Sequence, residues 1–195
     1  MARARPTPPA PWTIEEFLAW ERDQEERYEY VGGVIRMMVG GTLDHNRIAL
    51  NVASRLRALL AGGACSVFME GVKVVSAGAS MYPDVVVTCT PGSGQSDVVP
   101  EPEIVFEVLS RSTQTFDRGP KLDAYQQIAS LKQYVLISQD EIRVSVYERD
   151  DGSWRYRTIQ ELEARLEFAV GGAAMSLGEI YEAATVAGPR AQRGV

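Results

Sequence analysis

The sequence predicts a mixed α/β domain with one central sheet and flanking helices. Its segments follow the order helix, hairpin, helix, strands, helix, strand, hairpin, helix. Residues 85–87 are three consecutive valines, and residues 103–109 place Ile104, Phe106 and Val108 on one face of a second apolar strand. With 195 residues and 45% hydrophobic content, the chain suits a single globular domain.

The two ends of the chain are predicted to be flexible tails, over residues 1–11 and 187–195, which leaves one domain over residues 12–186. The first tail is rich in proline, alanine and arginine. The domain begins with a capping box, in which Thr13 and Glu16 satisfy the first amide groups of a short amphipathic helix.

A hairpin and a long helix come next. Residues 28–31 and 34–38 flank two glycines, and a two-residue glycine turn between apolar runs is typical of a β-hairpin. Apolar side chains then recur at helical spacing over residues 45–61, with Asp44 as the expected N-cap and two glycines as the stop.

The rest of the domain is predicted to complete the sheet and its covering helices. We first expect a strand over residues 65–75 broken at Gly71, a loop over 76–80 and a strand beginning at Pro83-Asp84. A loop over 90–102, the strand over 103–109, a polar connection over 110–119 and a helix from Pro120 to about 130 follow. The domain is expected to end with a strand over 133–138, a hairpin over 142–159 with Asp151-Gly152 at its turn, and a short helix from Ser176 to about 184.

Composition excludes several classes of protein. The net charge of −6 argues against a protein that coats nucleic acid nonspecifically, and a single histidine, His45, excludes a site built from several histidines. No apolar run approaches the roughly 20 residues of a membrane span, and the N-terminus has no apolar signal core, so we expect a cytoplasmic protein. Cys65 and Cys89 are expected to be buried reduced thiols, with a disulfide left open.

Two carboxylates occupy costly positions in the predicted strands. Asp84 follows Pro83 at the start of one strand, and Glu107 lies between Val105 and Leu109 on a partly apolar face of the other. A half-buried carboxylate needs a cationic partner, and two carboxylates on adjacent strands can hold a hard divalent metal.

Lys121, at the start of the following helix, is the candidate third member of this site, although a lysine at such a position is by itself more often a solvated helix residue. A lysine beside a metal-bound water can orient that water and stabilise negative charge that develops on phosphorus. The three residue types together indicate hydrolysis of a phosphodiester. The sequence lacks the motifs of a serine hydrolase, a phosphate-binding loop or a zinc site.

An ordered series of motifs extends this pattern along the chain. The series consists of Tyr28-Glu29, His45-Asn46-Arg47, Pro83-Asp84-Val85, Glu107-Val108-Leu109-Ser110, Asp117, Lys121-Leu122, Tyr125 and residues 133–137. The series resembles the PD-(D/E)XK restriction-endonuclease-like superfamily and is most similar, over most of its length, to the Uma-type family of bacterial endonucleases.

The resemblance implies a restriction-endonuclease-like αβββαβ core and a metal-dependent endonuclease whose substrate is DNA. It implies Asp84 and Glu107 as ligands of Mg²⁺ or Mn²⁺, Lys121 as the catalytic lysine and Glu29 as a further acidic residue of the site. The chain departs from the family pattern where Leu109 occupies the usual strand position of the lysine, and where Gly32-Gly33-Val34 replaces an acidic turn.

Two other classes of function stay open on the sequence. The first is a nuclease-like fold that binds nucleic acid or regulates without cutting. The second is a structural module that pairs with a second copy through the hairpin over residues 142–159, which would make a homodimer. His45 can be either a structural residue at a helix end or a phosphate contact. Asp117 can be either a helix cap or a partner of Lys121. Tyr125 is expected in the core, with its hydroxyl near the site.

Overall fold

The computed structural model describes residues 12–186, and the tails predicted at residues 1–11 and 187–195 lie outside the described residues. The helices are α1 (Ile14–Glu21), α2 (Leu43–Leu59), α3 (Gln114–Asp117), α4 (Pro120–Gln126) and α5 (Leu177–Ile180). The strands are β1 (Tyr28–Val31), β2 (Val34–Met37), β3 (Ser66–Met69), β4 (Val74–Ser76), β5 (Ala79–Met81), β6 (Val85–Thr88), β7 (Pro102–Leu109), β8 (Gln133–Ser138), β9 (Val144–Asp150), β10 (Ser153–Ile159), β11 (Arg165–Glu167) and β12 (Ala174–Ser176).

A six-stranded mixed sheet in the order β10-β9-β8-β7-β6-β3 forms the centre of the fold. β7 and β8 run parallel, whereas the other neighbouring strands are antiparallel. The sequence of α2, β3, β6, β7, α4 and β8 gives the expected αβββαβ core, with a second sheet in the order β2-β1-β5-β4 beside it. The predicted fold class, a mixed sheet with flanking helices and added hairpins, is therefore confirmed.

The central sheet is covered on both faces, and β7 lies in the middle of it. Ile104, Phe106 and Val108 pack with α2 in one core, whereas Val105 and Leu109 join a second core with residues of α4 and the smaller sheet. A strand buried on both faces offers no position for a solvated charge, so any ionised side chain on β7 needs a partner inside the protein.

Turn chemistry accounts for the hairpins that the sequence predicts correctly. Gly32 and Gly33 have φ angles of 58° and 80°, and Asp151 and Gly152 have φ angles of 43° and 83°. Positive φ at both turn residues matches the twist of the two flanking strands, and it favours Gly or Asp at these positions.

Several predicted boundaries are wrong where tertiary contacts decide them. Thr42, not Asp44, caps α2, because its hydroxyl accepts a hydrogen bond from the amide of His45 at 3.1 Å, while Asp44 pairs with Arg47. The strand expected over 65–75 divides into β3 and β4, which belong to different sheets, and the expected loop over 76–80 is the turn and second strand of the β4–β5 hairpin. α3 and the β11–β12 hairpin are additional elements, and α4 and α5 end about four residues earlier than expected.

A disulfide joins Cys65 to Cys89, which differs from the expected reduced thiols. Antiparallel pairing of β3 with β6 sets Ser66 opposite Thr88, so the two cysteines face each other one step beyond the paired strands. Within residues 12–186, no helix combines the length and the apolar character that a membrane crossing requires.

The end of α4 is held by Arg149 of β9. The Arg149 guanidinium donates hydrogen bonds to the carbonyls of Leu131 at 2.8 Å, Gln126 at 3.0 Å and Ile128 at 2.8 Å. Gln126 is the last residue of α4, where backbone carbonyls have no helical partner, and Ile128 and Leu131 lie in the segment that follows the helix.

We expect Arg149→Ala to lower the free energy of unfolding by about 2–4 kcal/mol, because it leaves several carbonyls without their charged donor. Urea denaturation monitored by circular dichroism measures the change. Arg155→Ala is the matched control: Arg155 makes an exposed ion pair with Asp150 on the same hairpin, so its loss is expected to stay within about 0.5 kcal/mol. Equal losses in the two variants would contradict the role assigned to Arg149.

Candidate active site

A cleft of about 990 Å³ opens at one end of the central sheet, and it contains most of the acidic residues named from the sequence. Its walls come from the β1–β2 hairpin, the start of α2, the start of β6, the end of β7 and the α3–α4 segment. The lining includes Glu29, Arg36, Gly41, His45, Tyr82, Asp84, Glu107, Arg111, Asp117 and Lys121.

Lys121 lies at the floor of the cleft and is only 3% exposed. Its Nζ is 2.8 Å from Glu29 Oε1, 2.8 Å from Glu107 Oε1 and 3.7 Å from Asp117 Oδ1. Burial alone would lower the pKa of Lys121, but the charges of Glu107, Glu29 and Asp117 outweigh it and raise that pKa well above its usual value. The lysine is therefore a permanent ammonium ion held by three carboxylates from β1, β7 and α3.

Glu107 is a deeply buried carboxylate of the cleft, with 4% of its surface exposed. In addition to its contact with Lys121, Glu107 accepts a hydrogen bond from the hydroxyl of Tyr125 at 3.1 Å. The Tyr125 hydroxyl therefore lies at the site, as the sequence predicts. Burial raises the pKa of Glu107 well above its usual value; Lys121 opposes the rise, and Asp84, Asp117 and Glu29 add to it. One lysine does not compensate all the negative charge around it.

Asp84 stands at the start of β6, beside the end of β7. One of its carboxylate oxygens, Oδ2, accepts a hydrogen bond from the backbone amide of Val108 at 2.6 Å. The antiparallel register that sets Val85 opposite Phe106 brings Asp84 level with Glu107, so the two carboxylates lie on neighbouring strands at the same height.

His45, in the first turn of α2, forms the wall next to Asp84. Its Nε2 is 3.4 Å from Asp84 Oδ2, and although burial lowers the pKa of His45, the hydrogen bond and charge of Asp84 give a net rise. A side chain at Gly41 would place its Cβ 2.8 Å from His45 Nδ1. The imidazole is thus held between Asp84 and the backbone of Gly41.

Glu29 is fixed from two sides. Its Oε1 accepts a hydrogen bond from the amide of Tyr82 at 2.9 Å as well as from Lys121. The Tyr82 hydroxyl donates to Glu21 of α1 at 2.6 Å, and Lys73 is 2.8 Å from the other oxygen of Glu21. Burial, with Glu21 adding to it, raises the pKa of Tyr82 to about 12, so the phenol keeps its proton at neutral pH.

The cleft has an excess of acidic groups. Glu107, Glu29 and Asp117 surround one lysine, Asp84 adds a fourth carboxylate on the other side of the cleft, and burial raises the pKa of Asp117 as well. Within residues 12–186, no three His, Cys, Asp or Glu side chains converge as a preformed metal cage. Mg²⁺ commonly binds through only one or two carboxylates and keeps several waters, so Asp84 and Glu107 fit such an ion.

Two arginines of the cleft were not recognised from the sequence. Arg36 stacks on Phe116, with its guanidinium carbon 4.4 Å from the ring centroid, and donates to the carbonyl of Ser112 at 3.3 Å. Arg111 has 86% of its side chain exposed, with Asp140 at 3.4 Å. Arg36 lies directly opposite Glu29 in the β1–β2 register, and the two-residue turn would have allowed this pairing to be inferred.

The expected site residues thus come together to different degrees. Lys121 is in direct contact with Glu29 and Glu107. Asp117 also pairs with Lys121, which is one of the two roles expected for it from the sequence. Asp84 contacts β7 through Val108 and faces His45, without a direct contact to Lys121. The lysine therefore organises the β1, β7 and α3 side of the cleft, and Asp84 stands on the opposite side.

A solved crystal structure shares this fold. The chain superposes with a TM-score of 0.74 on the crystal structure of a putative nuclease of the DUF820 group from Anabaena variabilis, at 20% sequence identity, covering 88% of this chain and 98% of that one. The match shows a shared architecture over nearly the whole neighbour.

Sequence comparison gives the family. Residues 14–177 match the Uma2 family, described as "Putative restriction endonuclease", and the protein belongs to that family. Two uncharacterized proteins of Synechocystis are similar along most of their length: one is 34% identical over 182 residues, covering 90% of this chain and 95% of the relative, and the other is 28% identical over 163 residues, covering 80% and 92%. The resemblance inferred from the motifs is confirmed.

We expect Lys121→Met to destabilise the protein by about 3–5 kcal/mol at about pH 8, because it leaves buried carboxylates without their cation. Without the lysine, the pKa of Glu107 in the folded protein rises further above the unfolded value of about 4.3, so stability is lost as the pH rises through the folded pKa. The deficit relative to wild type is therefore expected to shrink towards about pH 5.

Urea titrations of wild type and variant across this pH range measure the deficit. Lys132→Met is the control, because Lys132 is half exposed and pairs with Glu103 on the same sheet. A Lys121→Met deficit that does not change with pH would contradict the assigned role of the buried carboxylates.

Proposed function

We propose that this protein is a divalent-metal-dependent endonuclease that hydrolyses DNA phosphodiester bonds in the acidic cleft. The observation that supports this most is the surplus of buried carboxylates around Lys121, which leaves negative charge that a divalent cation would compensate. Membership in a family described as "Putative restriction endonuclease" and a fold shared with a putative nuclease agree with this chemistry.

Asp84 and Glu107 are the proposed ligands of Mg²⁺ or Mn²⁺. They stand on adjacent strands, and both ions prefer carboxylate oxygens. When bound, such an ion supplies a nucleophilic water and Lewis-acid stabilisation of the phosphate. The bond from Val108 N–H fixes the orientation of Asp84, and Tyr125 fixes that of Glu107.

Lys121 is the proposed electrostatic stabiliser. Its ammonium group remains charged across the physiological range, and its contacts with Glu29 and Glu107 hold Nζ at a fixed position. A preorganised cation needs no rearrangement when negative charge develops on a bound phosphate. Glu29 would act by positioning this lysine, and the exposed Arg111 at the mouth of the cleft offers a phosphate contact.

Asp84→Asn and Glu107→Gln are each expected to reduce metal-dependent cleavage at least about 100-fold, because each neutralises a charge that would face the metal while keeping the size of the side chain. Conversion of supercoiled plasmid to nicked and linear forms, with Mg²⁺ or Mn²⁺ present, measures the rate.

Glu103→Gln is the matched control, since Glu103 lies on the same strand as Glu107 but pairs with Lys132 away from the cleft. It is expected to cleave at the wild-type rate. Undiminished cleavage by both Asp84→Asn and Glu107→Gln would contradict the assignment of the site. Metal-independent DNA binding by a wild-type protein that never cleaves would favour the non-cutting module instead.

Calorimetric titration of Mn²⁺ tests the metal site without any substrate. Wild type is expected to bind Mn²⁺, and Asp84→Asn is expected to lose this binding, because one of the two carboxylate ligands is then neutral. Glu103→Gln again serves as the control. Equal binding by Asp84→Asn and wild type would place the ion elsewhere.

A further inference from the structure

Four tyrosine rings form a continuous row from the cleft to the far surface of the sheet. Tyr125, whose hydroxyl binds Glu107, is 4.8 Å from Tyr134 between ring centroids; Tyr134 is 6.3 Å from Tyr147, and Tyr147 is 5.0 Å from Tyr156. The last three occupy directly opposed positions on β8, β9 and β10, so they share one face of the sheet. The row begins fully buried and ends at Tyr156, which is 55% exposed.

The exposed ring of Tyr156 is held in place. Its hydroxyl accepts a hydrogen bond from Thr158 at 2.8 Å and lies 3.4 Å from the hydroxyl of Ser145, while its ring packs against Tyr147. Trp154, two residues earlier on β10, projects from the same face, at a spacing of about 6.6–6.8 Å along the strand. An exposed ring fixed at three points presents its free side to solvent at little cost in side-chain entropy.

The guanidinium of Arg118 lies beside this surface. Arg118, which follows the cleft residue Asp117, donates a hydrogen bond to the Ser145 hydroxyl at 3.4 Å. In the part of the chain that the structure describes, no carboxylate forms an ion pair with Arg118, whereas Arg143 pairs with Glu141 and Arg155 with Asp150. Hydrogen bonds from Ser145 and Thr158 lower the pKa of Tyr156, and the charge of Arg118 lowers it further.

A fixed aromatic ring next to an unpaired guanidinium has the chemistry of a single-stranded nucleic-acid subsite, since a base stacks on the ring and a phosphate pairs with the arginine. We propose that Arg118, Tyr147 and Tyr156 form a subsite for an unpaired nucleic-acid strand that extends from the cleft. This proposal rests on the proposed function for the nature of the ligand. It adds that the substrate has a single-stranded segment next to the bond that is cut.

The position of the subsite supports this occupant over a second copy of the chain. Asp117 lines the cleft and the adjacent Arg118 contacts β9, so one chain segment separates the two surfaces. A strand leaving the cleft past α3 would meet Arg118 first and the Tyr156 ring next. The unpaired positive charge complements phosphate, whereas a homodimer contact would bring two uncompensated arginines towards each other.

Fluorescence anisotropy with a labelled oligothymidylate of about 15 nucleotides tests the proposal in EDTA, without cleavage. Tyr156→Ala is expected to weaken binding roughly 5- to 150-fold, the loss of one stacked base. Tyr156→Phe, which keeps the ring, is expected to bind within about 3-fold of wild type. Arg118→Gln is expected to weaken binding and to reduce the slope of log affinity against log salt by about 0.7.

Phe68→Ala is the control, because Phe68 is an exposed aromatic residue on β3, at the opposite edge of the same sheet. It is expected to bind as wild type does. Equal affinities for wild type and Tyr156→Ala would overturn the proposal, as would loss of a dimer in light scattering on Tyr156→Ala without a change in oligothymidylate binding. Oligothymidylate binding that depends on Tyr156, by a wild-type protein that cleaves no DNA with Mg²⁺ or Mn²⁺ present, would count against the nuclease proposal alone.

Discussion

The arrangement of the cleft depends on one buried ammonium group. Lys121 lies among Glu29, Glu107 and Asp117, which come from β1, β7 and α3, and its charge is what allows three carboxylates to remain inside the protein. A buried charge without a partner is costly, so each of these segments is held towards the others by the same requirement. Because α4 begins at Pro120, one residue before the lysine, the start of that helix also sets the depth at which the ammonium lies.

This electrostatic centre explains why strand register matters so much here. β7 is buried on both faces. Glu107 is tolerated there because α4 supplies the ammonium group of Lys121 and the hydroxyl of Tyr125 as its partners. A slip of one residue between β6 and β7 would move Asp84 away from the height of Glu107 and break its bond to the Val108 amide. The valines of β6, which pack into both cores, fix that register by hydrophobic contact.

The sequence contained enough information for the parts of the fold that depend on local chemistry. The Gly32-Gly33 and Asp151-Gly152 turns specify their hairpins through positive φ, and Glu107 could be recognised because a carboxylate between Val105 and Leu109 contradicts the apolar pattern. The disulfide and the split of residues 65–75 between two sheets depend on which strands meet across the fold, and single-sequence periodicity does not contain that information. The cap from Thr42 was missed for a local reason, since Asp44 is an equally good capping residue two positions later. Lys121 could be recognised as a site residue only through the motif series, because a lysine in the first turn of a helix is ordinarily solvated.

The first helix has a practical consequence for anyone who shortens the protein. None of the side chains of α1 lines the cleft, yet Glu21 at its end receives the Tyr82 hydroxyl and the Lys73 ammonium, and Tyr82 in turn holds Glu29 through its amide. Among the described residues, a fragment that begins at β1 would leave Lys73 with only the exposed Asp97 as its counterion, and it would free the tyrosine that anchors Glu29. Fragments designed for crystallisation or for domain fusion therefore need to retain α1, although it lies outside the cleft.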